Sequence, residues 1–305
     1  MATILAAANG NWSATATWTG GVVPGAGDIA VANGKTITLD VATITVASLR
    51  ADTTGGAANG GTFSLSLTST TVNGDVIAGA GHGISGLNAG KTLTVNGTAY
   101  GGTGAGNTYG IVMTGGTLFL SAAQGVGGNW SSCFGVYMSA GTAQIGDCLG
   151  GGGAYAVGLY CAGGQATVSR AVGGAGTAAY GVQVEGTGNV SVTTARASAL
   201  VAGLALLANG AQANVTTAEA GRTLPAVINT GSGRLGVRRL VWHGGGQCPV
   251  QGRIRLIEDG SVPAPIYLPD ATDHAASAGS GPALRGGMAM PARVLAVAGE
   301  MLKVP

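Results

Sequence analysis

The sequence predicts an all-β fold: a single-stranded parallel β-helix of about eight coils, with an N-terminal cap and a non-repeating C-terminal β region. Two observations carry this. Glycine turns recur at Gly34, Gly61, Gly90, Gly116, Gly141, Gly164, Gly188, Gly210 and Gly233, 22 to 29 residues apart. Most are followed by a short alternating strand such as Thr36-Ile37-Thr38-Leu39 or Thr92-Leu93-Thr94-Val95. A second set, Gly83, Gly110, Gly135, Gly158, Gly181 and Gly203, runs in step with the first at 22 to 27 residues, each followed by Ile, Val or Leu. A repeat of this length with two strand signals per period is a solenoid, because one turn cannot bury its own apolar face and stacking buries it against the turns above and below. Leucine-rich repeats share the period but need leucines and an asparagine at fixed offsets, which are missing here, and helical periodicity is absent.

Composition narrows the class. Glycine makes up 59 of 305 residues, yet the regular spacing and 46% hydrophobic content argue for order rather than low complexity. A net charge of +2 gives no basic stripe for nucleic acid, and no apolar run is long enough for a membrane span. Only 9% of residues are charged, far below what an isolated soluble surface carries, so other subunits or a particle are expected to cover much of this one. The start of the chain lacks a basic n-region and a full apolar core, and is read as having no secretion signal.

Taken in order, residues 1–33 read as a cap, 34–243 as the β-helix and 244–305 as C-terminal strands and an extended arm. An open solenoid end exposes core and strand edges, and the pair Trp12 and Trp18 beside the turn at Pro24, with Asp28 closing the segment, suits a lid. The pattern Asn11-Trp12-Ser13, Thr17-Trp18, Gly20-Gly21, Pro24-Gly25, Gly27-Asp28, followed by Asn33-Gly34-Lys35-Thr36-Ile37-Thr38-Leu39-Asp40, resembles the opening of many bacterial and phage right-handed β-helix proteins. The resemblance covers roughly the first forty residues and implies a right-handed coil; with no secretion signal read, it points to phage virion proteins made in the host cytoplasm.

Within the coils, Tyr100, Tyr109, Tyr137, Tyr155, Tyr160 and Tyr180 gather around the second glycine set, and Phe134 precedes Gly135 as Tyr109 precedes Gly110. Tyr109, Phe134, Tyr137, Tyr160 and Tyr180 are therefore expected to form an aromatic stack along one corner, sealing the core or a subunit seam; a glycan-binding groove is the alternative. Trp130 is read as a packed loop aromatic, with sugar stacking as its alternative. Arg234, Arg238, Arg239, Arg253 and Arg255 form a basic cluster after the last turn, read as a solvated or assembly-facing end rather than a phosphate site. Beyond it, residues 252–260 read as a strand with Ile266-Tyr267-Leu268 as partner, residues 270–290 as an arm, and 294–297 as a final strand. Cys133, Cys148, Cys161 and Cys248 are read as reduced, small apolar residues, and no spacing suggests a metal or cofactor.

Carboxylates are scarce. Asp147, Glu185 and Glu219 occupy different places in their coils, so stacking is not expected to form the pair a glycoside hydrolase needs. His82, His243 and His274 are far apart, and the glycines at 101–106 lack the lysine and helix of a phosphate loop. No enzyme is expected. The function expected is a structural protein of a bacteriophage virion, an oligomeric (trimeric) fibre, spike or decoration on tail or head that contacts other virion proteins. The alternatives are a tail spike that binds or cleaves host surface polysaccharide, and a bacterial surface adhesin.

Overall fold

A strand with every second side chain apolar can bury one face only, and this chain buries those faces by coiling. The structure is a computed structural model that describes residues 1–52, 60–102, 107–126, 132–198, 201–206, 211–219, 225–230, 233–243, 250–252, 265–268, 283–284 and 288–289. In chain order the strands are β1 (Thr3–Leu5), β2 (Gly10–Asn11), β3 (Ile29–Val31), β4 (Thr36–Leu39), β5 (Thr43–Arg50), β6 (Thr62–Leu65), β7 (Ser69–Ile77), β8 (Ile84–Leu87), β9 (Thr92–Tyr100), β10 (Thr108–Gln124) and β11 (Cys133–Leu149). They continue with β12 (Leu159–Cys161), β13 (Gln165–Val172), β14 (Val182–Val184), β15 (Asn189–Arg196), β16 (Leu204–Leu206), β17 (Gln212–Glu219), β18 (Val227–Asn229), β19 (Arg234–His243), β20 (Val250–Gly252) and β21 (Pro265–Leu268). A separate antiparallel pair, β22 (Ala283–Leu284) and β23 (Met288–Ala289), lies outside the main sheet.

The main sheet holds 21 strands, paired in parallel, and its register sorts them into three ladders. In the first, short strands and the front of β10 and β11 stack Ile111 on Val136, Leu159, Val182, Leu204 and Val227. The second, from the front halves of the long strands, stacks Leu93 on Leu118, Ala143, Ala166, Val190, Ala213 and Leu235. The third, from their back halves, stacks Val76 on Ala99, Ala123, Cys148, Ala171, Ala195 and Ala218. The fold is an all-β parallel solenoid of about nine turns, close to the number read from the glycine spacing.

All these inward columns are buried. The larger side chains concentrate on the first ladder and alanine on the third, so large meets small across a close-packed interior. Cys148 takes an alanine's place in the third ladder; Cys148 and Cys161 are buried free thiols, and Cys133 is buried as well. Burial pushes the Cys161 thiol up to about 11 and raises Cys148 as well, so both stay protonated at neutral pH. Cys248 lies outside the described residues.

The two glycine sets mark two corners with one exchange: Gly34 and Gly61, read with the first set, precede β4 and β6, which stack Ile37 and Phe63 on Ile84 and Ile111 of the first ladder, so they stand at the corner of Gly83 and Gly110. Gly116 turns the chain from the first ladder into the second at φ 73°, and a Cβ there would stand 2.5 Å from the carbonyl oxygens of Asn88 and Lys91. At the other corner, between the third and first ladders, a Cβ on Gly110 would stand 2.6 Å from the carbonyl oxygen of Gly135 in the next turn. Successive turns touch there through bare backbone.

The ladder runs further than the sequence suggests at both ends. β1 pairs with β3 inside the segment read as the cap, and β2 of that segment pairs with β4. Beyond His243, β20 pairs with β18 and β21 with β19. Ile266 sits on Val241 in parallel, a pairing the sequence did not suggest; the strand expected at 252–260 as partner of 266–268 lies almost wholly outside the described residues. Val227 to Val250 and Val241 to Ile266 keep the spacing of the repeat, although Pro249, Pro263 and Pro265 interrupt its glycine pattern. Residues 253–260 of the expected strand, the arm at 270–290 and the strand at 294–297 lie outside the described residues, apart from the short β22 and β23.

Val192 tests the inward register. It is 1% exposed, between Val168 and Val215 on the second ladder. Val192→Asp is expected to abolish the cooperative thermal transition or lower it by several kcal/mol, because the carboxylate has no partner there. Thr194→Asp, two residues on and pointing outward, is expected to melt within about 0.5 kcal/mol of wild type. Equal melting of the two variants by circular dichroism would contradict the register.

Candidate functional site

The N-terminal lid is built by its own motif. Trp12 and Trp18 are buried, 5% and 2% exposed, and meet edge to face at 5.0 Å. The Trp18 indole N–H donates to the Trp12 carbonyl at 2.8 Å, which satisfies that buried polar atom, and Trp12 also packs on Phe63 of the coil at 6.3 Å. Pro24 is buried beside them. Asp28 accepts the Ala2 N–H at 2.9 Å and the Gly25 N–H at 3.1 Å, and these bonds hold its carboxyl below the usual range. Asp40, which ends the same sequence pattern, accepts both the backbone N–H and the hydroxyl of Ser13. Every polar residue named here ties one part of the lid to another, and none is aimed at a ligand.

The aromatic corner is the second feature. His82, Tyr109, Phe134, Tyr137 and Tyr160 stack with ring planes 3° to 13° apart and centroids 4.7 to 5.6 Å apart. The ladder spacing of about 4.8 Å sets this distance, so rings at equivalent places in adjacent turns fall face to face. Phe134 and Tyr137, from one turn, both lie between Tyr109 and Tyr160. The sequence reading missed His82, although it precedes Gly83 as Tyr109 precedes Gly110. Burial lowers its pKa, and its Nδ1 accepts the Tyr109 N–H at 3.3 Å, as a neutral imidazole can.

Tyr180 does not join the stack. It precedes Gly181 in the same column, but Val157 holds that place in the intervening turn and breaks the run. Tyr100 and Tyr155 also stand outside it. The stack ends instead on a polar cluster: the Tyr160 hydroxyl donates to Glu185 at 2.5 Å, and the buried Gln183 amide donates to the other carboxylate oxygen at 2.7 Å. Burial first, and the Glu185 carboxylate second, raise the Tyr160 phenol well above its ordinary range.

The remaining charges are dispersed. Asp147 pairs with Arg170 at 2.6 Å and Glu219 with Arg196 at 3.4 Å, both on the outer side of the third ladder. Exposed pairs of this kind contribute about 0–1 kcal/mol. Asp147, Glu185 and Glu219 thus each face a different partner, and the fold does not assemble them into one site. Arg234, Arg238 and Arg239 are exposed on β19, but Arg239 lies past the bend and on a different face from Arg234. Arg253 and Arg255, like Trp130 and His274, lie outside the described residues. Among the described residues no three His, Cys, Asp or Glu side chains come together as a metal site would require, and no helix is long and apolar enough to cross a membrane.

One concavity escaped the sequence reading. An open groove of about 370 Å³ crosses the outer side of the second ladder, lined by Thr94, Asn96, Phe119, Ser121, Gln144 and Thr167 among others, none of them charged. Phe119 is 40% exposed, because the alternation Leu118-Phe119-Leu120 turns it outward. The parity of that strand was the available signal. A scan of protein-family models and searches of curated proteins and solved structures found no match to this chain.

The Tyr160 environment makes an alkaline prediction. A phenol whose folded pKa is raised contributes stability that is complete below its unfolded value of about 10 and is lost as pH rises toward the folded value. Wild type is therefore expected to lose melting temperature steadily above about pH 10. Tyr160→Phe should show a shallower fall over the same range, since the raised phenol of Tyr160 is removed while those of Tyr109 and Tyr180 remain. Superimposable slopes in an alkaline melting series would contradict the Tyr160–Glu185 contact.

Proposed function

We propose that the chain is a structural protein of a bacteriophage virion: an oligomeric β-helical fibre, spike or decoration protein on the tail or head. The observation that carries the reading is the lid. The residues that resemble the opening of phage β-helix proteins (Trp12, Ser13, Trp18, Pro24, Asp28 and Asp40) act together here as a closure over the first turns. A capped rod whose backbone hydrogen bonds run turn to turn along its axis supports a mechanical or display role. The aromatic corner fits the same reading. Rings stacked face to face have spent the surfaces on which a sugar would lie, so the corner serves cohesion better than glycan recognition.

The reading is tested on particles. Antibody raised against the purified chain is applied to particles banded from a lysate of the host that makes it. Immunogold on one structural location, with the chain at a fixed copy number by quantitative mass spectrometry, is the expected outcome. Chain that remains in the soluble lysate while particles are unlabelled would contradict it.

A further inference from the structure

The outer side of the second ladder is a charge-free strip, and we infer that it is where a second copy of this chain packs, each copy presenting the same strip. Seven turns contribute, from β7 to β17. Down its middle run Thr94, Phe119, Gln144, Thr167, Ser191 and Asn214, in register. The outward positions two residues before and after each of these are Ser, Thr, Asn, Gln or Gly throughout. Charge returns at Arg234 and Arg238 on β19, where the strip ends.

Low overall charge alone does not produce this. The outer side of the third ladder, formed by the same long strands past their bend, carries Asp75, Asp147, Arg170, Arg196, Glu219 and Arg239. Charge is placed on one face and kept off its neighbour. Protein interfaces show such depletion at their centre, since a charge there must be desolvated and a hydroxyl or amide can exchange water for a partner. Surface order points the same way. Asn96 donates to Asn73 at 2.7 Å and Asn73 to Thr45 at 3.1 Å, an amide ladder that already fixes side chains an association would otherwise have to order.

Size decides that a protein surface is the occupant. Seven turns at about 4.8 Å and three outward positions about 6.8 Å apart give on the order of 700 Å² per copy, near the roughly 800 Å² per partner of a standard specific interface. A saccharide would be expected to find several free aromatic faces, whereas the strip offers Phe119 alone. Phe119 beside the open groove that runs past Gln144, Gly146 and Thr167 gives the flat strip a knob and a hollow for its copy. The inference takes from the proposed function only the oligomer, and not the particle.

The test is sedimentation of the full chain. Wild type is expected to sediment as a dimer or larger. Gln144→Lys with Thr167→Lys, both exposed substitutions, should weaken association at least 100-fold and leave a monomer with an unchanged circular dichroism spectrum. Thr194→Lys with Thr217→Lys, on the third face, should behave as wild type. Should the double lysine variant fold poorly, Gln144→Cys under oxidation is expected to give covalent dimers beyond the wild-type background, and Thr194→Cys is not. A wild type that is monomeric at tens of micromolar, including one that binds a neutral polysaccharide, overturns the inference, as does a folded strip variant that stays associated. An associated chain absent from particles leaves this inference standing and removes the virion reading; a monomeric chain found in particles does the reverse.

Discussion

The constraint on which everything else depends is that each turn must match the turns above and below it, position by position. Backbone hydrogen bonds run between turns rather than within them, so a side chain's neighbours are its counterparts roughly one period away in sequence. Ile111 meets Val136, and Leu118 meets Ala143. A column is as stable as its least compatible member, and the inward columns are filled by apolar residues, mostly small or branched, with Phe63, Met113 and Met138 among the larger ones. Each such burial contributes about 1.5–3 kcal/mol for the larger side chains. The same rule operates outside the core. Aromatic rings at matched places become a stack, asparagines become an amide ladder, and opposite charges become the pairs Asp147–Arg170 and Arg196–Glu219.

The corners convert that rule into a closed coil with distinct faces. Where turns touch through bare backbone, as at Gly110 over Gly135, the first ladder begins at a fixed place in each turn. That fixed place brings Tyr109, Phe134 and His82 into one column just ahead of the corner. The left-handed turn at Gly116 sets the start of the second ladder and thereby the parity that sends Thr117 and Phe119 outward and Leu118 inward. The bend within the long strands then separates a charge-free face from a charged one. The lid, the corner stack and the strip are consequences of one coil geometry. They occupy different faces because glycines place the bends.

The solenoid was legible because its signal repeats. A glycine turn that recurs over nine places is hard to mistake, and the inward register of Val192 follows from the alternation of its own strand. Features that occur once were harder to see. Phe119 is outward by the same parity, but a single phenylalanine among leucines reads as core. Tyr180 shares its place before a corner glycine with Tyr109, and only the neighbouring turn shows that Val157 breaks the column. The pairing of Ile266 with Val241 was missed because Pro249, Pro263 and Pro265 and the run Gly244-Gly245-Gly246 blur the repeat, although the interval between the paired residues is preserved. Composition likewise showed that charge is scarce and could not show that it is gathered on one face, since that needs the bend.

The stacking itself is open to one direct measurement. Thr98 and Thr217 lie in a single outward column of the third ladder, separated by five rungs through Ala122, Asp147, Arg170 and Thr194. Spin labels on cysteines at these two positions should give a narrow dipolar distance near five ladder spacings, about 24 Å, with a few ångströms added by the label arms. A broad distribution, or one centred well beyond about 35 Å, would mean that turns 119 residues apart in sequence are not five layers apart in space, and the coil described here would be wrong.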